Sequence, residues 1–60
     1  MKEVKERDKV VISNPDSSFH GEEGRVVGII PGEVVSFYRV YIFSRKKIYT
    51  FTQYDVKGED

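Results

Sequence analysis

Sixty residues without a cysteine exclude a disulfide framework and a thiolate metal site, so apolar burial has to hold whatever fold the chain adopts. Ten Lys and Arg balance ten Asp and Glu, and that formal net charge of zero excludes the global basic signature of a nucleic-acid binder. Alanine, leucine and tryptophan are absent while Val, Ile, Tyr and Phe dominate the apolar set, which disfavours helical packing and points to an all-β domain.

Residues 1–7 form a charged lead with Val4 as its apolar member, and both 1–7 and 58–60 are expected to fray within one domain spanning 1–60. The lead carries no apolar signal-like stretch, and the longest apolar run, 26–30, is interrupted by Gly28. Neither secretion nor membrane spanning is therefore expected, and a cytoplasmic setting is. The first strand is predicted over 8–12, with Val10 and Ile12 on one face and Val11 on the other. Residues 13–24, rich in Asn, Pro, Asp, Ser and Gly, read as a long arching loop. A second strand follows over 25–30, and Pro31-Gly32 supplies the residues of a type II turn, with a positive φ at Gly32.

The longest extended segment is predicted over 34–43. It sets Tyr38, Val40 and Ile42 on one face and Phe37, Arg39, Tyr41 and Phe43 on the other. A polar, basic turn at 44–47 leads into a fourth strand over 48–52, with Tyr49 and Phe51 on one side and Ile48, Thr50 and Thr52 on the other. A turn at 53–55 then sets Val56 as a short closing strand. The face pattern predicts a core of Val10, Ile12, Val26, Ile29, Val40, Ile42, Phe51 and Val56.

The stretch Phe19-His20-Gly21-Glu22-Glu23-Gly24-Arg25-Val26-Val27-Gly28-Ile29-Ile30 resembles the KOW-type signature of translation and transcription proteins. It is similar in particular to a small ribosomal protein family of the archaeal and eukaryotic large subunit. Asp8-Lys9-Val10-Val11-Ile12 is similar to the first strand of such domains. The segment from Phe51 to Asp55 and Val56 resembles the closing strand of SH3-like accessory subunits of photosynthetic complexes. The resemblance covers most of 8–56 and implies a small five-stranded SH3-like, KOW-like barrel, a scaffold that serves many unrelated binding roles. Gly21 and Gly24 then stand where a loop reverses into a strand, and Gly28 where a coiled strand needs relief.

His20 is the single histidine, and without cysteine the ligands of a closed zinc site are missing. Asp16, Glu22 and Glu23 lack the spacing of a calcium loop and read as solvated charge. No cofactor, metal or catalytic residue is expected, and the chain reads as a non-enzymatic module. Neutrality hides an uneven distribution: residues 1–24 carry a net −2, residues 25–54 a net +4 and residues 55–60 a net −2.

Two partner classes follow. Phe37, Tyr41 or Phe43 facing outward beside an exposed Phe19 would make an apolar patch rimmed by charge, the anatomy of a protein interface. Arg39, Arg45, Lys46 and Lys47 interleaved with aromatics over 38–50 would suit RNA or single-stranded DNA. Zero net charge, and Glu22 and Glu23 inside the loop where an RNA binder prefers cations, put a protein partner or macromolecular complex first. The predicted binding residues are Phe19, His20, Arg39, Tyr41, Phe43, Arg45, Lys46 and Lys47.

Overall fold

The structure, a computed structural model, describes residues 4–59. Five strands follow one another along the chain: β1 (Lys9–Ile12), β2 (Glu23–Ile30), β3 (Phe37–Ile42), β4 (Lys47–Thr52) and β5 (Val56–Gly58). All pair antiparallel in one sheet of order β4-β3-β2-β1-β5. The described residues contain no helix.

Period-two alternation sends one side chain in two to the interior. Val10 and Ile12 of β1, Val26 of β2, Val40 and Ile42 of β3, Phe51 of β4 and Val56 of β5 form a single buried cluster. Every strand thus contributes to one core. Seven of the eight predicted core residues are buried; Ile29 packs against the cluster with partial exposure, as do Val4, Phe19, Tyr38 and Tyr49. No buried side-chain polar atom lacks a partner among the described residues. β4 and β5 do not pair with each other, so the sheet retains two edges.

The register of β2 against β3 shifts between Val26 and Gly28. Val26 lies opposite Val40, and Gly28 opposite Arg39, so Val27 is the extra residue of a β-bulge. The bulge restores the inward phase at Ile29, opposite Tyr38, after two successive outward positions.

Three boundaries differ from expectation. β2 starts at Glu23 rather than Arg25, because Ile12 N–H bonds to Glu22 C=O and Phe43 N–H to Glu23 C=O, which extends the ladder into the expected loop. β3 starts at Phe37, and Val34, expected in the strand, is 85% exposed in the connection. Gly32 has no positive φ, so the type II turn is not formed; Gly21 is the positive-φ glycine of the described residues. The β2–β3 connection is instead a six-residue loop, 31–36, anchored at Ser36. That residue donates its N–H to Gln53 Oε1 (2.7 Å) and accepts the Gln53 N–H at its carbonyl (2.9 Å). Two bonds to the end of β4 fix the loop's length, which a local turn preference alone does not.

Of the lead expected to fray, Lys5 to Asp8 make a turn closed by the Asp8 N–H to Lys5 C=O (3.1 Å), and Arg7 is tied to β2, its N–H bonding to Val26 C=O (2.8 Å) and its C=O accepting from Arg25 Nη1 (2.7 Å). Gly58 belongs to β5, and Glu59 N–H bonds to Lys9 C=O (3.2 Å). Residues 1–3 and 60, also expected to fray, lie outside the described residues.

Candidate binding surface

The connection from 13 to 22 is a compact loop closed by its own bonds. Asn14 Oδ1 accepts the Asp16 N–H, Ser17 Oγ accepts the Phe19 N–H, and Gly21 N–H returns to Ile12 C=O (2.8 Å). This geometry turns Phe19 inward. Its ring lies 4.7 Å from that of Tyr49 and meets the Phe51 ring edge-on at 5.3 Å. Phe19 was expected to be exposed for binding and is a partly buried lid on the core instead.

Arg45 completes the lid. Its guanidinium carbon sits 4.0 Å above the Phe19 ring, while Nη2 and Nε donate to Glu22 Oε2 at 2.8 and 3.1 Å. Ser44 Oγ adds a bond to Glu22 Oε1 at 2.7 Å. The Arg45 bond, then that of Ser44, hold the Glu22 carboxyl below the usual carboxylate range, and Glu22 in turn raises the pKa of Arg45. Two expectations are corrected here. Glu22 is partnered rather than solvated charge, and Arg45, counted for phosphate contact, spends its charge on a carboxylate of its own chain.

A second clasp ties the end of β4 to the end of β1. Asn14 Nδ2 donates to Asp55 Oδ1 (2.8 Å), Thr52 N–H to Asp55 Oδ2 (3.3 Å) and Ser13 N–H to Asp55 C=O (2.7 Å). The Asn14 bond and those from Thr52 outweigh burial and lower the Asp55 pKa. Glu23 shifts the other way: Glu59 beside it raises its pKa against the opposing pull of Lys9. Lys9 Nζ lies 4.0 Å from Glu23 and 3.5 Å from Glu59.

The remaining predicted residues divide between two faces. Arg39 and Tyr41 point outward from β3, and Phe43 follows at the turn with its ring 6.1 Å from that of Tyr41. Lys47 lies in phase with Tyr49 and Phe51, the inward side of β4, and is exposed at its rim. Lys46 occupies the left-handed backbone region (φ 56°) in the turn closed by its N–H to Ile42 C=O (2.8 Å). His20 is exposed on the loop. Arg39 and Lys47 thus belong to opposite faces, and the basic-aromatic group expected over 38–50 is not one surface.

What the fold does bring together is an apolar outer face on β2, β3 and β4. Across the strands Arg25, Tyr41 and Ile48 form one row; Gly28, Arg39 and Thr50 a second; Ile30, Phe37 and Thr52 a third. Val27, 49% exposed at the bulge, and Ile48, 46% exposed, join Ile30, Phe37 and Phe43 as large apolar side chains open to solvent. Arg39 stands between Phe37 and Tyr41 along β3 and has no ion pair among the described residues. Ile48 was legible from alternation, since it opposes Tyr49 and Phe51 in phase. Val27 was not, because its direction depends on the bulge.

The described residues hold no group of three or more His, Cys, Asp or Glu placed to bind a metal ion, and no helix long and apolar enough to cross a membrane. No family model matches this chain, and no curated protein or solved structure matches it.

Proposed function

We propose that this protein is a non-enzymatic docking module, working in the cytoplasm, that binds a protein partner or larger assembly through the outer face of β2, β3 and β4. The observation that supports this is the composition of that face. One side of an antiparallel sheet is ordinarily polar where it meets water, and here it carries Val27, Ile30, Phe37, Tyr41, Phe43 and Ile48 around Arg39. Aromatic residues and arginine are the side chains enriched in protein interfaces, whereas Lys and Glu are depleted there. The strand order, with β5 returned beside β1, is compatible with the SH3-like, KOW-like barrel that the 19–30 stretch suggests.

The nucleic-acid reading loses ground because Arg45 is neutralised by Glu22 and Lys47 lies on the other face from Arg39 and Tyr41. The test uses Val27→Asp, on a strand remote from the sheet edges, which adds charge to the face without touching the core. Wild-type protein is expected to retain a partner from host lysate with weak dependence on salt, and the variant to lose it. A parallel titration with mixed-sequence RNA and single-stranded DNA is expected to leave the amide spectrum unchanged. Saturable, salt-sensitive shifts confined to 38–50 would replace the protein reading with the nucleic-acid one.

A further inference from the structure

Alternate residues of an edge strand turn both N–H and C=O away from their neighbour. On β4 the phase is fixed from both sides. Phe43 N–H bonds to Glu23 C=O, which turns the odd-numbered residues of β3 toward β2 and leaves Tyr38, Val40 and Ile42 to bond β4. Their partners are Phe51, Tyr49 and Lys47, and Gln53 N–H continues the same phase to Ser36 C=O. Ile48, Thr50 and Thr52 therefore point their peptide groups outward, as the Thr52 N–H shows by bonding Asp55 Oδ2.

Thr52 is closed, because its C=O also accepts the Asp55 N–H (3.0 Å). Ile48 and Thr50 have no backbone partner on that side among the described residues. The edge's protections stand at its ends, Lys47 at one and Asp55 over Thr52 at the other; between them the β3–β4 register runs unbroken from Phe37↔Thr52 to Ile42↔Lys47 and β4 contains no proline. At the opposite edge β5 is only three residues long, and Val4 lies beside Gly58.

We propose that this edge pairs with a second copy of itself, β4 against β4 antiparallel, about a two-fold axis at Tyr49. This register sets Ile48 opposite Thr50 of the second copy and Thr50 opposite Ile48 of the second copy, so each exposed N–H meets an exposed C=O. A register centred on Thr50 would instead oppose Ile48 to Thr52, whose groups Asp55 already holds. The chosen register also sets Lys47 opposite Phe51 of the second copy rather than opposite another lysine, and it runs the basic turn past the Asp55 end of the neighbouring strand. The same residues serve on both sides, as a closed isologous contact requires. Few side chains are buried by the pairing, so the dimer forms at high protein concentration. This inference stands on the β4 backbone and is independent of the docking face.

Sedimentation equilibrium from micromolar to millimolar protein, combined with amide hydrogen exchange, tests it. The mass is expected to rise from one chain toward two. Exchange at Ile48 and Thr50 is expected to slow as it does, while Tyr49 and Phe51 stay protected throughout. Thr50→Pro removes an outward N–H and no β3–β4 bond, and is expected to be monomeric at every concentration. A single-chain mass at millimolar protein, concentration-independent exchange at Ile48 and Thr50, or a folded Thr50→Pro that dimerises like the parent each overturns the proposal. Should that variant not fold, the wild-type exchange data decide.

Discussion

A Cβ on Gly24 would collide with the carbonyl oxygen of Tyr41 and come within 2.7 Å of Val40 Cγ1. The obstacle is backbone of the neighbouring strand, which has nowhere to go, so Gly24→Ala is expected to lower stability by about 1 to 3 kcal/mol in denaturant titration. Gly21, at φ 87° with open space around it, is conformational in origin, and Gly21→Ala is expected to cost roughly 1 kcal/mol. Gly28→Ala, whose Cβ would meet Arg39 Cβ at an ordinary 3.9 Å, is expected to change stability by no more than about 0.5 kcal/mol. The lid offers a further check at this scale. Arg45→Ala and Glu22→Ala both remove the ion pair between these side chains, so each is expected to lower the melting temperature and the double variant to lower it by less than the sum of the two losses.

The turn joining β4 to β5 is held to the start of the β1–β2 loop by Asp55, and that makes it acid-sensitive. Its folded pKa lies below the unfolded value, so its contribution is fully present above the unfolded value of about 4 and is lost as pH falls through the folded one. Glu22 has the same sign. Glu23 has the opposite sign: raised by Glu59, it stabilises below its unfolded pKa and loses that contribution as pH rises through the folded one. Two carboxylates against one favour loss of stability below about pH 4. Asn14→Ala, which removes the leading cause of the Asp55 shift, is expected to cost about 1 kcal/mol at neutral pH and to flatten the acid limb of a stability profile.

Over the whole molecule, a radius of gyration of 10.3 Å matches the roughly 10 Å expected of a folded chain this long. Among the described residues seven apolar side chains are buried, so each one matters. Phe51 touches both the central cluster and the Phe19 lid, and Phe51→Ala is expected to lose about 3 to 5 kcal/mol, enough to unfold much of the population at room temperature by circular dichroism. A melting curve like the parent's would place Phe51 outside the core.

The strand phases, the core and the all-β class were set by residue order, because side-chain direction in a strand repeats every two residues and needs no knowledge of neighbours. Val40, Ile42, Phe51 and Val56 went to the interior for that reason. The fate of single polar and aromatic groups was decided only by the tertiary structure. Whether Arg45 met a phosphate or Glu22, whether Phe19 faced solvent or Phe51, and whether Gly32 turned the chain depended on partners more than 15 residues away in sequence, such as the Ser36–Gln53 bonds. Alternation likewise placed Arg39 and Lys47 on their own strands. With Val40 and Phe51 inward, that alternation by itself puts them on opposite faces; the strand register and the Val27 bulge are what gathered the apolar outer surface. A long-range pairing costs chain entropy that local sequence does not report, and that pairing determines which side chains share a surface.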